Sequence, residues 1–144
     1  MDIEITHDRA RMDVTRIHDY LSNESYWARG IPRERVERAI AHSLCFGAFD
    51  GAQQVGFARV ISDFATFAYV ADVFVVESHR GRGVSKQIMR AITEHPDLQN
   101  LRRWHLVTRD AHGLYAQFGF TPVDAPERHM MKLRPASPVP PAST

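Results

Sequence analysis

One segment constrains this chain more than any other: Val73-Phe74-Val75-Val76-Glu77-Ser78-His79-Arg80-Gly81-Arg82-Gly83-Val84-Ser85-Lys86. It reads as a buried apolar strand, a turn with two glycines, and a helix with Val84, Ile88, Ala91 and Ile92 at helical spacing. Such a turn aims the N–H groups of a helix N-terminus at one point, where the helix dipole adds positive potential. Gly81 and Gly83 permit close backbone approach. The segment therefore points to an anion site. A plain strand-to-helix turn with solvated arginines has the same outline, and two glycines alone do not separate the readings. Two other phosphate loops do not fit. Gly83 is followed by Val84-Ser85 rather than by Lys and Ser or Thr, and Lys86 stands where the third glycine of a dinucleotide fingerprint belongs.

The rest of the chain supplies elements around this turn. Ile3 and Ile5 alternate with polar neighbours as a short strand. Asp13 is placed to cap a helix carrying Val14, Ile17, Tyr20 and Leu21. Gly30 and Pro32 break an aromatic-bearing connection, and Pro32 opens a second helix with Val36, Ala39, Ile40 and Leu44. Residues 45–49 and 55–61 read as a hairpin around Asp50-Gly51. A strand over 67–76 precedes the glycine turn. The following helix ends near His95-Pro96, because the residue before proline disfavours the helical region. Residues 104–108 read as a strand, 111–118 as a short helix with Gly119 as its C-cap, and 120–123 and 129–133 as a last strand pair. The order implies a mixed sheet, with a parallel, right-handed crossover from the 67–76 strand to the 104–108 strand.

Length and composition bound the class. The 144 residues suit one domain, placed at 1–134, with a Pro/Ser-rich flexible tail at 135–144. Eighteen Lys and Arg against seventeen Asp and Glu give a net charge of +1, which disfavours bulk attraction to nucleic acid or an anionic membrane. A nucleic-acid surface built on Arg80, Arg82, Arg102 and Arg103 is disfavoured for the same reason. Cys45 is the sole cysteine, so no intrachain disulfide and no Cys-based zinc site is expected, and no metal site is assigned. No stretch approaches a membrane span, and MDIEITHD lacks the features of a signal peptide. The expectation is a cytoplasmic protein.

A second feature lies downstream. Ala111-His112-Gly113-Leu114-Tyr115-Ala116-Gln117-Phe118-Gly119-Phe120 is a short helix ending in Gly-Phe. A tyrosine hydroxyl there can donate a proton to a leaving anion, though a core tyrosine with a satisfied hydroxyl has the same sequence signature.

Together, in this order, the two features resemble the GNAT superfamily of acetyl-CoA-dependent N-acetyltransferases. The family's phosphate motif is Arg or Gln, two residues, Gly, one residue, then Gly or Ala; here it falls on Arg80, Gly83 and Ser85. Its late motif is met at Ala111, Leu114, Tyr115, Gly119 and Phe120. The resemblance covers about residues 2–133. Two departures stand out. Ser85 replaces the usual Gly or Ala, and Thr108 stands where many members carry Asn, so the side-chain contact made by that Asn is in doubt here.

The resemblance implies an α/β acyl-CoA N-acyltransferase fold: a mixed, mostly antiparallel sheet with a splayed parallel strand pair and helices on both faces. It implies acetyl-CoA as co-substrate, its pyrophosphate held over Arg80, Gly81, Arg82, Gly83, Val84 and Ser85 mainly by backbone N–H groups. The pantetheine arm would lie in the splay, bonded strand-fashion to the backbone of Val73, Phe74 and Val75, with Thr108 and Tyr115 facing it. N–H groups near Val73 and Val75 would polarise the thioester carbonyl for direct attack by a small-molecule amine. Tyr115 would protonate the departing thiolate. Alternatives are a non-catalytic acyl-CoA sensor and an enzyme acting on a protein or peptide amine.

Asp72 is an acid inside an apolar strand, so it needs a partner. Three roles fit it: binding the acceptor's ammonium group, acting as a base through water, or serving as a structural hydrogen-bond acceptor. Glu77, His79 and His112 are further candidate bases. Tyr26, Trp27 and Arg29 are candidate acceptor-binding residues, with Asp63, Arg109 and Asp110 as further polar groups; Trp27 has packing over the core edge as its bland alternative. A homodimer is expected only by analogy with edge pairing in this fold.

Overall fold

A computed structural model describes residues 2–135. Strand β1 (Ile3–Thr6) is followed by helices α1 (Val14–Asn23) and α2 (Arg33–Ala41). Then come β2 (Leu44–Asp50), β3 (Gln53–Ser62), β4 (Phe67–Val75), α3 (Val84–Glu94), β5 (Arg103–His105) and α4 (His112–Ala116). The sheet order is β1-β2-β3-β4-β5. The first three pairings are antiparallel and β4–β5 is parallel.

The local signals act where the sequence puts them. The Asp13 carboxylate accepts the Arg16 N–H at the start of α1. Pro32, in extended backbone, stands at the N-cap of α2. Gly51 takes a φ of +61° in the β2–β3 turn. The Asp13 N–H donates to the Gln54 side chain, which itself donates to the Gly56 carbonyl, so a buried amide ties the start of α1 to β3.

The core lies on both sides of the sheet. On one side the Tyr20 ring of α1 stacks on Phe74 at 4.0 Å, and Phe74 meets Phe57 of β3. On the other, a Cβ on Gly56 would come within 3.1 Å of Ile88 of α3. Ile17, Leu21, Phe57, Ile88, Met89 and Ile92 are fully buried, and this apolar burial is the main force closing the two layers.

Two expectations are corrected. Strand β5 occupies Arg103–His105 rather than 104–108, because the parallel ladder ends at the Tyr69–His105 pair. The expected last strand pair is absent among the described residues. Pro122 removes a ladder donor from the first segment, and Met130 and Met131 of the second stand 98% and 79% exposed. The tail proposed at 135–144 lies outside the described residues beyond Pro135.

Candidate active site

The site begins with a defect in β4. Phe57 pairs with Phe74, and Arg59 pairs with Ala71. Asp72 and Val73 therefore both oppose Ala58, which is a β-bulge. Asp72 adopts a φ of +55°, a conformation that Asp tolerates better than most residues. Among the described residues, the β4 edge has no ladder partner on the β5 side beyond the Tyr69–His105 pair, so the seam between the two parallel strands opens towards the bulge.

At the far end of β4 the chain turns through a 3-10 helix (Glu77–His79) into α3. Gly81 and Gly83 have φ of +75° and +78°, and a Cβ on either would meet nothing within 4 Å. These glycines are set by backbone angle, not by crowding, and the space above them is open. The first bond of α3 runs from the Gln87 N–H to the Gly83 carbonyl. The N–H groups of Val84, Ser85 and Lys86 have no helical acceptor, as at any helix start. A cavity of about 390 Å³ faces this turn, lined by His79, Gly83, Ser85, Lys86 and Leu114 among others. Orphan amides, a helix N-terminus and a lysine make it fit for a phosphate group.

The side chains flanking the turn are committed to holding it. The Arg80 guanidinium turns inward, donating to the Val75 carbonyl at 3.0 Å and to the Tyr20 hydroxyl at 2.9 Å. His79 pairs through Nε2 with Asp50 at 2.9 Å and through Nδ1 with Ser78 at 2.8 Å. That pins the turn to the β2–β3 hairpin and occupies both nitrogens of one candidate base. Glu77 is exposed on the 3-10 turn.

Tyr115, on α4, is 8% exposed. Burial pushes its phenol up to about 12, with Tyr26 and Asp110 adding to the shift. The hydroxyl therefore stays protonated at neutral pH. The Thr108 hydroxyl accepts the Ala111 N–H at 3.0 Å and so fixes the start of α4. Thr108, His112 and Tyr115 line a groove of about 1110 Å³ beside β5.

The connection between α1 and α2 reaches the same corner. The Trp27 indole N–H donates to one Asp72 oxygen at 2.8 Å, and Arg59 donates to the other at 2.9 Å. Both carboxylate oxygens are thus engaged, in a pair with only 17% and 13% of the Arg59 and Asp72 side chains exposed. Tyr26 packs edge-on to Trp27 at 5.1 Å, accepts the Arg109 N–H at 3.1 Å, and carries the Arg109 guanidinium 3.8 Å above its ring. Tyr26, Trp27, Asp72, Arg109, Asp110 and Tyr115 therefore meet at one end of the cleft. Arg29 does not join them; it is exposed and reaches the Asn23 carbonyl. Asp63 is also elsewhere. It accepts N–H bonds from Ala65, Thr66 and Phe67 in the β3–β4 turn, and those bonds together with the Thr66 hydroxyl hold its carboxyl well below the usual range.

Sequence reasoning missed Arg59, whose only signal was a cation on the strand next to a lone buried acid. Among the described residues no group of three or more His, Cys, Asp or Glu is placed to hold a metal ion, and no helix is long and apolar enough to cross a membrane.

Residues 41–122 match the acetyltransferase (GNAT) domain. The chain belongs to the GNAT acetyltransferase family. A crystal structure from Xanthomonas campestris pv. campestris, described as belonging to this family, is 53% identical over 94% of this chain and 95% of that one, with a TM-score of 0.91. An acetyltransferase candidate of Gibberella zeae is 28% identical over 138 residues, covering 81% of this chain and 77% of that protein. A Clostridium acetobutylicum structure containing acetyl-CoA shares 15% identity over 92% of this chain and 95% of that one, with a TM-score of 0.66; it shows the same fold. The glycine turn, the open parallel seam and the late tyrosine are thus parts of a GNAT acetyltransferase.

Proposed function

We propose that this enzyme transfers an acetyl group from acetyl-CoA to the amine of a small-molecule acceptor in a ternary complex. The observation that carries the reading is the cavity at the start of α3, where orphan amides face open space at the foot of the β4–β5 seam. The pyrophosphate sits over Gly81, Arg82, Gly83, Val84 and Ser85, and Lys86 adds charge. The arm lies in the seam, bonded to the free edge of β4 at Val73, Phe74 and Val75, so that its thioester reaches the bulge. The neutral amine attacks the carbonyl carbon, a C–N bond forms, and the C–S bond breaks. Tyr115 gives its proton to the thiolate, and the proton shed by the new ammonium returns to the phenolate. Its raised pKa keeps the hydroxyl protonated, and so able to donate, at neutral pH. Holding both substrates in line supplies much of the acceleration.

Asp72 acts here as an anchor. Each of its oxygens already accepts a hydrogen bond from the protein, which supports a positioning role. It holds Trp27, and with it Tyr26, as the aromatic wall of the acceptor site. Arg29 is peripheral in this reading.

The test is release of CoA thiol on mixing the protein and acetyl-CoA with a panel of small amines and of peptides. Turnover confined to small amines supports the proposal. Acetyl-CoA binding with no turnover on any amine favours a sensor, and turnover only on peptides moves the acceptor to proteins.

A further inference from the structure

The glycine turn gets little support from its own helices. Among the described residues, no side chain caps the start of the 3-10 helix at Glu77–His79 or the start of α3. Gly81 and Gly83 stand at positive φ, and a Cβ on either would meet nothing within 4 Å, so backbone angle rather than packing sets them. Side chains tie the turn to the sheet instead. Arg80 ties it to the end of β4 and to α1. His79 ties it to Asp50 at the mouth of the β2–β3 hairpin. The two ends of that second tie are unlike. Asp50 closes β2, paired with Ile3 of β1 on one side and with Gln53 of β3 on the other, so its backbone is held from both sides. His79 stands on a single helical turn, and its mostly buried ring forms part of the wall of the cavity at the start of α3. The fixed end therefore holds the loose one.

We propose that Asp50 is a positioning residue for cofactor binding: by holding the His79 ring in one tautomer and one orientation, it pre-forms the turn that receives the pyrophosphate. This role rests on the proposed seat of acetyl-CoA over the same turn. An ionised carboxylate can only accept, so His79 Nε2 carries the proton in the 2.9 Å bond to Asp50. In the neutral ring Nδ1 is then an acceptor, and the Ser78 hydroxyl donates to it at 2.8 Å. One acid 29 residues upstream thus fixes the ring, and the ring fixes the backbone that leads directly into Arg80 and Gly81. With 44% of the Asp50 side chain exposed, the pair adds little to the stability of the fold. Its effect falls on binding. A turn that is already ordered loses less conformational freedom when a ligand fills it, and affinity rises accordingly.

Calorimetric titration of the full chain with acetyl-CoA, run beside thermal unfolding, tests the role without using activity. Asp50→Ala is expected to weaken acetyl-CoA binding about tenfold while Tm moves by less than about 3 °C. Asp50→Asn keeps an oxygen that accepts from Nε2 and is expected to bind within about threefold of the parent. His79→Phe keeps a ring but loses both bonds; combined with Asp50→Ala it is expected to cost nothing beyond the larger single loss, because the two residues act through one contact. Nitrogen NMR of the His79 ring, assigned by its loss in His79→Phe, is expected to show the Nε2–H tautomer in the parent and in Asp50→Asn, and a mixture of tautomers in Asp50→Ala. Unchanged affinity in Asp50→Ala overturns the proposal, and if Tm falls at the same time Asp50 serves the hairpin alone. Losses that add in the double variant, an Asp50→Asn as weak as Asp50→Ala, or an Nδ1–H tautomer in the parent each overturn it as well. A parent protein that binds no acetyl-CoA refutes the cofactor placement and this role with it, whereas a parent that binds no more tightly than Asp50→Ala refutes the role alone.

Discussion

Replacing Asp72 by Asn separates the anchoring role from the catalytic one. Asn keeps the shape and tolerates the φ of +55°, but it removes the charge that faces Arg59 at 2.9 Å. A charge-assisted hydrogen bond contributes about 1.5–3 kcal/mol and a neutral one about 0.5–1.5. The change should therefore cost about 1.5 kcal/mol, or about 3–5 °C in Tm for a chain of this size. Asp72→Ala should cost more. It leaves the poorly solvated Arg59 charge unpaired, frees the Trp27 indole N–H and forces Ala into the left-handed region; together these come to about 4 kcal/mol. The assays are thermal unfolding and the pH profile of kcat/KM. The anchor account predicts a lowered Tm, a raised acceptor KM and an acid limb at the same pH as in the parent enzyme. An unmoved Tm together with loss of the acid limb would refute it and make Asp72 the base.

Three further perturbations probe other parts of the site and core. Gly83→Asp puts a carboxylate at the phosphate cradle and an L-residue at φ +78°; acetyl-CoA affinity by calorimetry should fall about 100-fold, or about 2.7 kcal/mol, while the open space keeps the fold intact. Tyr115→Phe should lower kcat about 100-fold and leave acetyl-CoA affinity unchanged; equal loss in both would assign the residue to packing. Burial raises Cys45 from 9.0 to about 11, so an unfolded chain loses this proton before the folded one. The stability it contributes is complete below pH 9 and is lost as pH rises through 11, so the denaturant midpoint should fall over that window, and less steeply in Cys45→Ala.

How much of this was legible in the sequence follows from how local each signal is. Asp13, Pro32, Asp50-Gly51 and His95-Pro96 act within a few residues of themselves, and each marks a boundary that the structure keeps. The glycine turn was equally readable, since a positive φ at Gly81 and Gly83 is a local demand. The bulge was not. It needs β3 as its reference, and its only trace was an acid at position 72 with no visible partner. Its partners, Arg59 and Trp27, lie 13 and 45 residues away and meet it only through the fold. Strand β5 ends early for a similar reason: residues 106–108 look like a strand, but the seam has already opened beside them.

The most direct test of the account is a crystal structure of the protein with CoA. The account predicts the diphosphate within hydrogen-bond distance of the amides of Gly83, Val84, Ser85 and Lys86, the arm between β4 and residues 106–108, and the thiol beside the Tyr115 hydroxyl. CoA bound elsewhere, or a thiol with no approach to that hydroxyl, would contradict it.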